Sequence, residues 1–129
     1  MTLEGVRVFV VEDEALLLLT MQDHLADLGC NVTAQAQHLD DALRKARDLD
    51  FDVAVLDVNL AGRRIDPVAE ALAGRGIPFL FVTGYGRTSL PPGLQDRVVI
   101  TKPYDAASLR TGLLGTLGRG EGTAGSPLA

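Results

Sequence analysis

The sequence predicts an α/β domain built as a doubly wound, five-stranded parallel sheet. Three observations carry that prediction. Short apolar runs rich in Val, Ile and Phe recur at 6–11, 53–56, 79–82 and 98–100, as in strands buried on both faces, while 31–36 alternates like an edge strand. Segments with apolar residues at helical spacing lie between the runs. Repeated strand–helix alternation requires crossovers, which are right-handed and place helices on both faces of the sheet.

Each element has its own signal. The first helix, 14–28, carries Leu17, Met21, Leu25 and Leu28 on one stripe, and Gly29 supplies a left-handed stop. In the same helix, Leu16 to Leu19 are apolar almost all round one turn, which predicts a wide buried face, with a partner-binding patch as the alternative. A second helix shows Leu39, Ala42, Leu43, Ala46 and Leu49 at helical spacing. Asp66 followed by Pro67 reads as the N-cap and first-turn proline of a third. A fourth, at 87–95, is expected to be short or broken because it contains Pro91, Pro92 and Gly93. Asp105 reads as the N-cap of a last helix that faces Leu109, Leu113, Leu114 and Leu117 inward. The domain therefore spans 1–117, and 118–129, rich in Gly, Ser and Thr without an apolar period, is expected to be a flexible tail.

Composition narrows the function. With 129 residues, 47% of them hydrophobic and 22% charged, the chain has the make-up of one globular domain and not of a disordered segment. Its longest apolar run, 15–19, falls far short of the roughly 20 residues that cross a bilayer. The beginning of the chain lacks the pattern of a secretory signal, and the single cysteine, Cys30, cannot form an intrachain disulfide, so a cytoplasmic location is expected. A net charge of −5 argues against direct, non-specific nucleic-acid binding.

In a doubly wound sheet, functional groups gather at the carboxyl ends of the strands. The first strand ends in Glu12 and Asp13, the third in Asp57, the fourth in Thr83 and Gly84, and the fifth in Lys102 and Pro103. Three carboxylates brought together repel unless one is protonated or a cation is bound, and hard oxygen ligands suit Mg²⁺. Asp57 has the reach of a carboxylate nucleophile for a phosphoryl group. Thr83 and Lys102 then supply a hydrogen bond and a charge to the transferred anion, and Gly84 leaves room for it.

This ordered set resembles the response-regulator receiver domain of two-component signalling over about residues 6–117. The resemblance implies the flavodoxin-like strand order 2-1-3-4-5. It implies Asp57 as the phosphoacceptor that forms 4-aspartylphosphate, with Thr83 as the switch hydroxyl and Lys102 as the phosphate-binding lysine. Glu12, Asp13, Asp57 and the backbone carbonyl of Asn59 would hold Mg²⁺ or Mn²⁺. The partners it implies are a sensor histidine kinase or a phosphotransfer protein, with output through protein–protein contact and no enzymatic turnover beyond slow self-dephosphorylation. Receivers with Lys-Pro at this place typically make that peptide bond cis, and Lys102's charge is expected to be engaged only when the phosphoryl anion is present.

The sequence departs from the commonest receiver pattern at Val99, where many members carry an aromatic rotor. The stretch Phe81-Val82-Thr83-Gly84-Tyr85-Gly86 is similar to the "FAT GUY" subgroup, which lacks that aromatic and is associated with kinases of the HWE or a related class. The pull on Thr83 is then expected to pass along its own loop, through Tyr85 and Gly86, into the weak fourth helix. Other readings stay open. An aspartyl-nucleophile phosphatase would want a second aspartate where Asn59 stands, and a non-phosphorylated pseudo-receiver scaffold has no need of Asp57, Thr83 and Lys102 together. Arg63 and Arg64 read as solvated loop charges, with contact to an incoming anion as the alternative. His24 and His38 lack metal spacing, and Cys30 reads as a small core hydrophobe.

Overall fold

The computed structural model of the chain describes residues 2–60, 62–84 and 90–118. Its main sheet contains β1 (Arg7–Val11), β2 (Asn31–Ala36), β3 (Val53–Asp57), β6 (Phe79–Thr83) and β7 (Val99–Thr101), all parallel, in the order β2-β1-β3-β6-β7. A two-stranded antiparallel hairpin, β4 (Asn59–Leu60) with β5 (Arg63–Arg64), intervenes after β3. Counted within the main sheet alone, the order is the expected 2-1-3-4-5.

Period-two alternation sorts each central strand onto two faces. Phe9, Val11, Ala54, Leu56, Phe79 and Phe81 point to one side, where they meet α2 (Leu39–Asp48) and α3 (Asp66–Arg75). Val8, Val10, Val53, Val55, Leu80 and Val82 point to the other and meet α1 (Ala15–Asp27) and α4 (Ala106–Leu117). Every residue of β3 and β6 is buried, as two-sided coverage demands, whereas β2 alternates because it lies at an edge.

The helices mostly follow their sequence signals. Gly29 has φ +89°, a left-handed backbone that other side chains rarely adopt, so the stop after α1 favours glycine, and a Cβ there would also lie within 3.2 Å of the Glu4 Cα. Asp105 caps α4 by accepting a bond from the Ser108 amide at 2.8 Å. At α3 the cap is displaced by one residue: Ile65 is the N-cap, and Asp66 is the first helical residue, with its carboxylate accepting from Arg64 Nε at 3.1 Å. No helix forms among residues 90–98, where Pro91, Pro92 and the left-handed Gly93 leave only turns. Residues 85–89, which include the rest of the expected fourth helix and the Tyr85–Gly86 loop, lie outside the described residues, as does the tail from 119 to 129.

The register of α1 differs from expectation. Leu18, Met21 and Leu25 form its buried stripe, Leu17 is half-buried, and Leu16 and Leu19 are 74% and 57% exposed. Four consecutive leucines carry no periodic information of their own. The packing of Met21 and Leu25 over β1 selects the leucine one turn earlier, Leu18, and the expected wide buried face gives way to an exposed leucine pair. Among the described residues, no helix is long and apolar enough to cross a membrane. Leu18→Ala should therefore cost about 2–5 kcal/mol of unfolding free energy, while Leu16→Ala should stay within about 0.5 kcal/mol of the parent. Urea titration of the two variants checks this, and equal losses would contradict the register.

Candidate functional site

The parallel register carries the ends of four strands to one edge of the sheet. Asp57 closes β3 opposite Val82, and Thr83 closes β6 opposite Thr101. Glu12 and Asp13 follow β1 directly, and Lys102 follows β7. A backbone bond from the Lys102 amide to the Thr83 carbonyl, at 2.9 Å, continues the ladder one step past the last strand. The Lys102–Pro103 peptide is cis, as expected.

Glu12, Asp57 and Thr83 are buried, and Asp13 and Lys102 are half-buried. Lys102 Nζ lies 3.2 Å from Asp57 Oδ2 and 3.5 Å from Glu12 Oε1. Contrary to the expectation that its charge waits for an incoming anion, the lysine is engaged already. Two buried carboxylates need a cation nearby, and Lys102 is positioned to serve both. The Asn59 amide donates to Asp57 Oδ1 at 3.2 Å, and the Glu14 amide donates to Glu12 Oε2 at 3.2 Å.

Burial, reinforced by the negative charge of Asp57, pushes the Glu12 carboxyl up to about 7, with the Glu14 amide and Lys102 pulling the other way. Burial works downward on Lys102, but Asp57 and Glu12 outweigh it and hold the ammonium above the ordinary lysine range. One carboxylate oxygen each from Glu12, Asp13 and Asp57 lies within 4.8 Å of the others. This all-oxygen donor set fits a hard divalent cation such as Mg²⁺ or Mn²⁺, and lacks the thiolates or imidazoles that softer metals prefer.

The site opens into a cavity of about 650 Å³ lined by Asp13, Asp57, Asn59, Arg64, Thr83 and Lys102 among others. Beside it lies a smaller apolar hollow of about 330 Å³, walled by Leu17, Thr20, Pro103 and Tyr104. Two features of this neighbourhood were not legible in the sequence. The β4–β5 hairpin is too short to have a periodic signal. Tyr104, whose hydroxyl contacts Met21 Sδ at 3.7 Å, looks in sequence like an ordinary residue after a proline. Burial first, then the charge of Glu12, raises its phenol to about 12. Val99 is half-buried on β7, so no aromatic occupies the rotor position there.

Fold and site together define a flavodoxin-like α/β domain with its polar machinery at the carboxyl edge of the sheet. The chain belongs to the response regulator receiver domain family, whose model matches residues 8–113. It is similar to SdrG from Sphingomonas melonis Fr1, with 36% identity, a TM-score of 0.78, and coverage of 91% of this chain and 99% of that one. The receiver domain of PhyR from Erythrobacter litoralis is 25% identical, with a TM-score of 0.74 and coverage of 88% and 91%. The receiver domain of the sensor histidine kinase PA1611 from Pseudomonas aeruginosa PAO1, which holds a magnesium ion in its active-site cleft, shares the fold at 21% identity, with a TM-score of 0.73 and coverage of 88% and 98%. Comparison with curated proteins returns no match.

Folded Glu12 keeps its proton to a higher pH than an unfolded glutamate, whose ordinary value is 4.5. Its contribution to stability is therefore complete below that value and is lost as pH rises through about 7. With a chelator present, the thermal midpoint should fall from about pH 5 to about pH 8 more steeply in the parent than in Glu12→Gln, and identical profiles would contradict the raised value. Divalent-cation affinity should weaken below about pH 7, because the proton competes for Glu12.

Proposed function

We propose that this chain is a phosphoacceptor of two-component signalling that takes a phosphoryl group onto Asp57 from a histidine kinase or a phosphotransfer protein. The observation that carries the reading is the placement of Asp57: a buried carboxylate at a strand end, 3.2 Å from Lys102, in a cluster with Glu12 and Asp13. In the transfer, an Asp57 oxygen forms a bond to phosphorus as the donor's N–P bond breaks. The imidazole nitrogen keeps the electron pair of that bond and gains a proton from solvent. Lys102 moves its charge from the carboxylate to the phosphoryl oxygens, and the Thr83 hydroxyl donates to one of them.

Glu12, Asp13, Asp57 and the main-chain carbonyl of Asn59 are the groups that would hold Mg²⁺ or Mn²⁺, whose charge offsets that of the carboxylates and the phosphoryl group. The magnesium ion in the active-site cleft of the PA1611 receiver supports a divalent cation at this place. For the partner, the exposed Leu16 and Leu19 and the apolar hollow at Leu17 and Tyr104 flank the site and offer a surface for a helical phosphodonor, a kinase of the HWE class included. The chain acts as a signalling protein of the cytoplasm and not as a turnover enzyme, with its output carried by contacts with other proteins.

Incubation with Mg²⁺ and acetyl phosphate should add one phosphoryl group at Asp57, and Asp57→Asn or a chelator should abolish it. Mass spectrometry that placed the label elsewhere would overturn the assignment. Lys102→Ala should slow labelling on the order of 10²-fold, as loss of one transition-state donor does. It should also lower stability more at pH 8 than at pH 6, since Glu12, at about 7, is ionised at the higher value and has lost its cation.

A further inference from the structure

We propose that Arg64 is a binding residue for the phosphodonor, with its guanidinium meeting the oxygens of the incoming phosphoryl group at the mouth of the Asp57 cavity. The proposal rests on the reading of Asp57 as the acceptor and deepens it.

The hairpin that carries Arg64 is anchored at several points. Leu60 and Ile65 are buried on either side of its turn, at 1% and 0% exposure. The Ile65 amide bonds to the Val58 carbonyl at 3.1 Å, and the Asn59 side-chain oxygen accepts from the Gly62 amide at 3.0 Å. Arg64 pairs across the hairpin with Asn59, which stands two residues after Asp57. Its position is therefore tied to the acceptor through a few well-held bonds.

The side chain is oriented as well. Arg64 Nε donates to Asp66 Oδ1 at 3.1 Å, which sets the plane of the guanidinium, and the residue lines the same cavity as Asp57, Thr83 and Lys102. Charge supplies the reason for a second cation. The cavity wall carries the carboxylates of Asp13, Glu14 and Asp57, all repulsive to an anionic donor. Lys102 is engaged with Asp57 and Glu12 before the donor arrives. A guanidinium is suited to phosphate because its planar fork matches pairs of phosphoryl oxygens. The adjacent Arg63 provides an internal comparison: it pairs with Asp40 of α2 at 3.8 Å and does not line the cavity.

The test uses the full chain with Mg²⁺ and acetyl phosphate, with initial labelling rates followed by intact-mass spectrometry. Arg64→Ala should raise the half-saturating acetyl phosphate concentration about three- to tenfold, the range expected between an exposed pair and a charge-assisted one. The maximal rate should stay within about twofold of the parent, since the lost contact serves binding. Arg64→Lys should fall between the two, and Arg63→Ala should match the parent. BeF₃⁻ binding, read from amide shifts by NMR, should weaken in the same order. Should Arg64→Ala melt at a lower temperature, Arg64→Gln keeps the stem and the hairpin packing and is held to the same expectation. An unchanged half-saturation in Arg64→Ala and Arg64→Gln overturns the proposal, and so does an equal shift in Arg63→Ala, which would mean diffuse charge and not contact. A parent chain that takes no label at Asp57 overturns the acceptor reading itself, a result distinct from normal labelling with no arginine dependence.

Discussion

The ammonium of Lys102 stands between two carboxylates that are almost wholly removed from water, 3.2 Å from Asp57 and 3.5 Å from Glu12. Isolated carboxylates at such burial would be costly, and a pair facing each other more so. The shared cation makes the arrangement tolerable, and the raised value of Glu12 shows that the compensation is incomplete. Because the three groups come from the ends of β1, β3 and β7, the sheet order itself is what brings them together.

The apolar layers supply the rigidity on which this polar cluster stands. Phe79 and Phe81 pack edge to face on one side at 5.5 Å, and Phe9 meets Phe51 at 4.9 Å nearby. These buried rings pack within the apolar layer that covers β1, β3 and β6 on one face, and close packing leaves the strand ends little freedom to spread. Polar groups that would be unstable alone are thereby kept at fixed separations. At the far end of the sheet, Arg97 lies 4.3 Å above the Phe79 ring, covering an aromatic where regular helix is absent from residues 90–98.

Most of the fold was legible in the sequence because apolar strand runs and helical segments alternate along it. The strands of β3 and β6 are unbroken apolar runs, and the motif groups sit where such runs stop. Where the pattern was degenerate, the reading slipped. The four consecutive leucines of α1 could not say which of them faced inward, and only tertiary packing chose Leu18. The engagement of Lys102 was illegible for a different reason. Its charge balance depends on how deeply Glu12 and Asp57 are buried, and no local sequence window encodes depth. The hairpin after Asp57 involves four paired residues and was invisible to any periodicity.

The bond from the Lys102 amide to the Thr83 carbonyl has a consequence for the evolution of such a domain. The residues that carry the hydroxyl and the ammonium at this edge of the sheet are thereby joined through main chain. Ordinary substitution at either position changes the chemistry offered but leaves the tether intact, and only a proline at 102 would remove its donor. Sequence drift at these positions can therefore retune the pocket while the mechanical link between two strands is inherited unchanged.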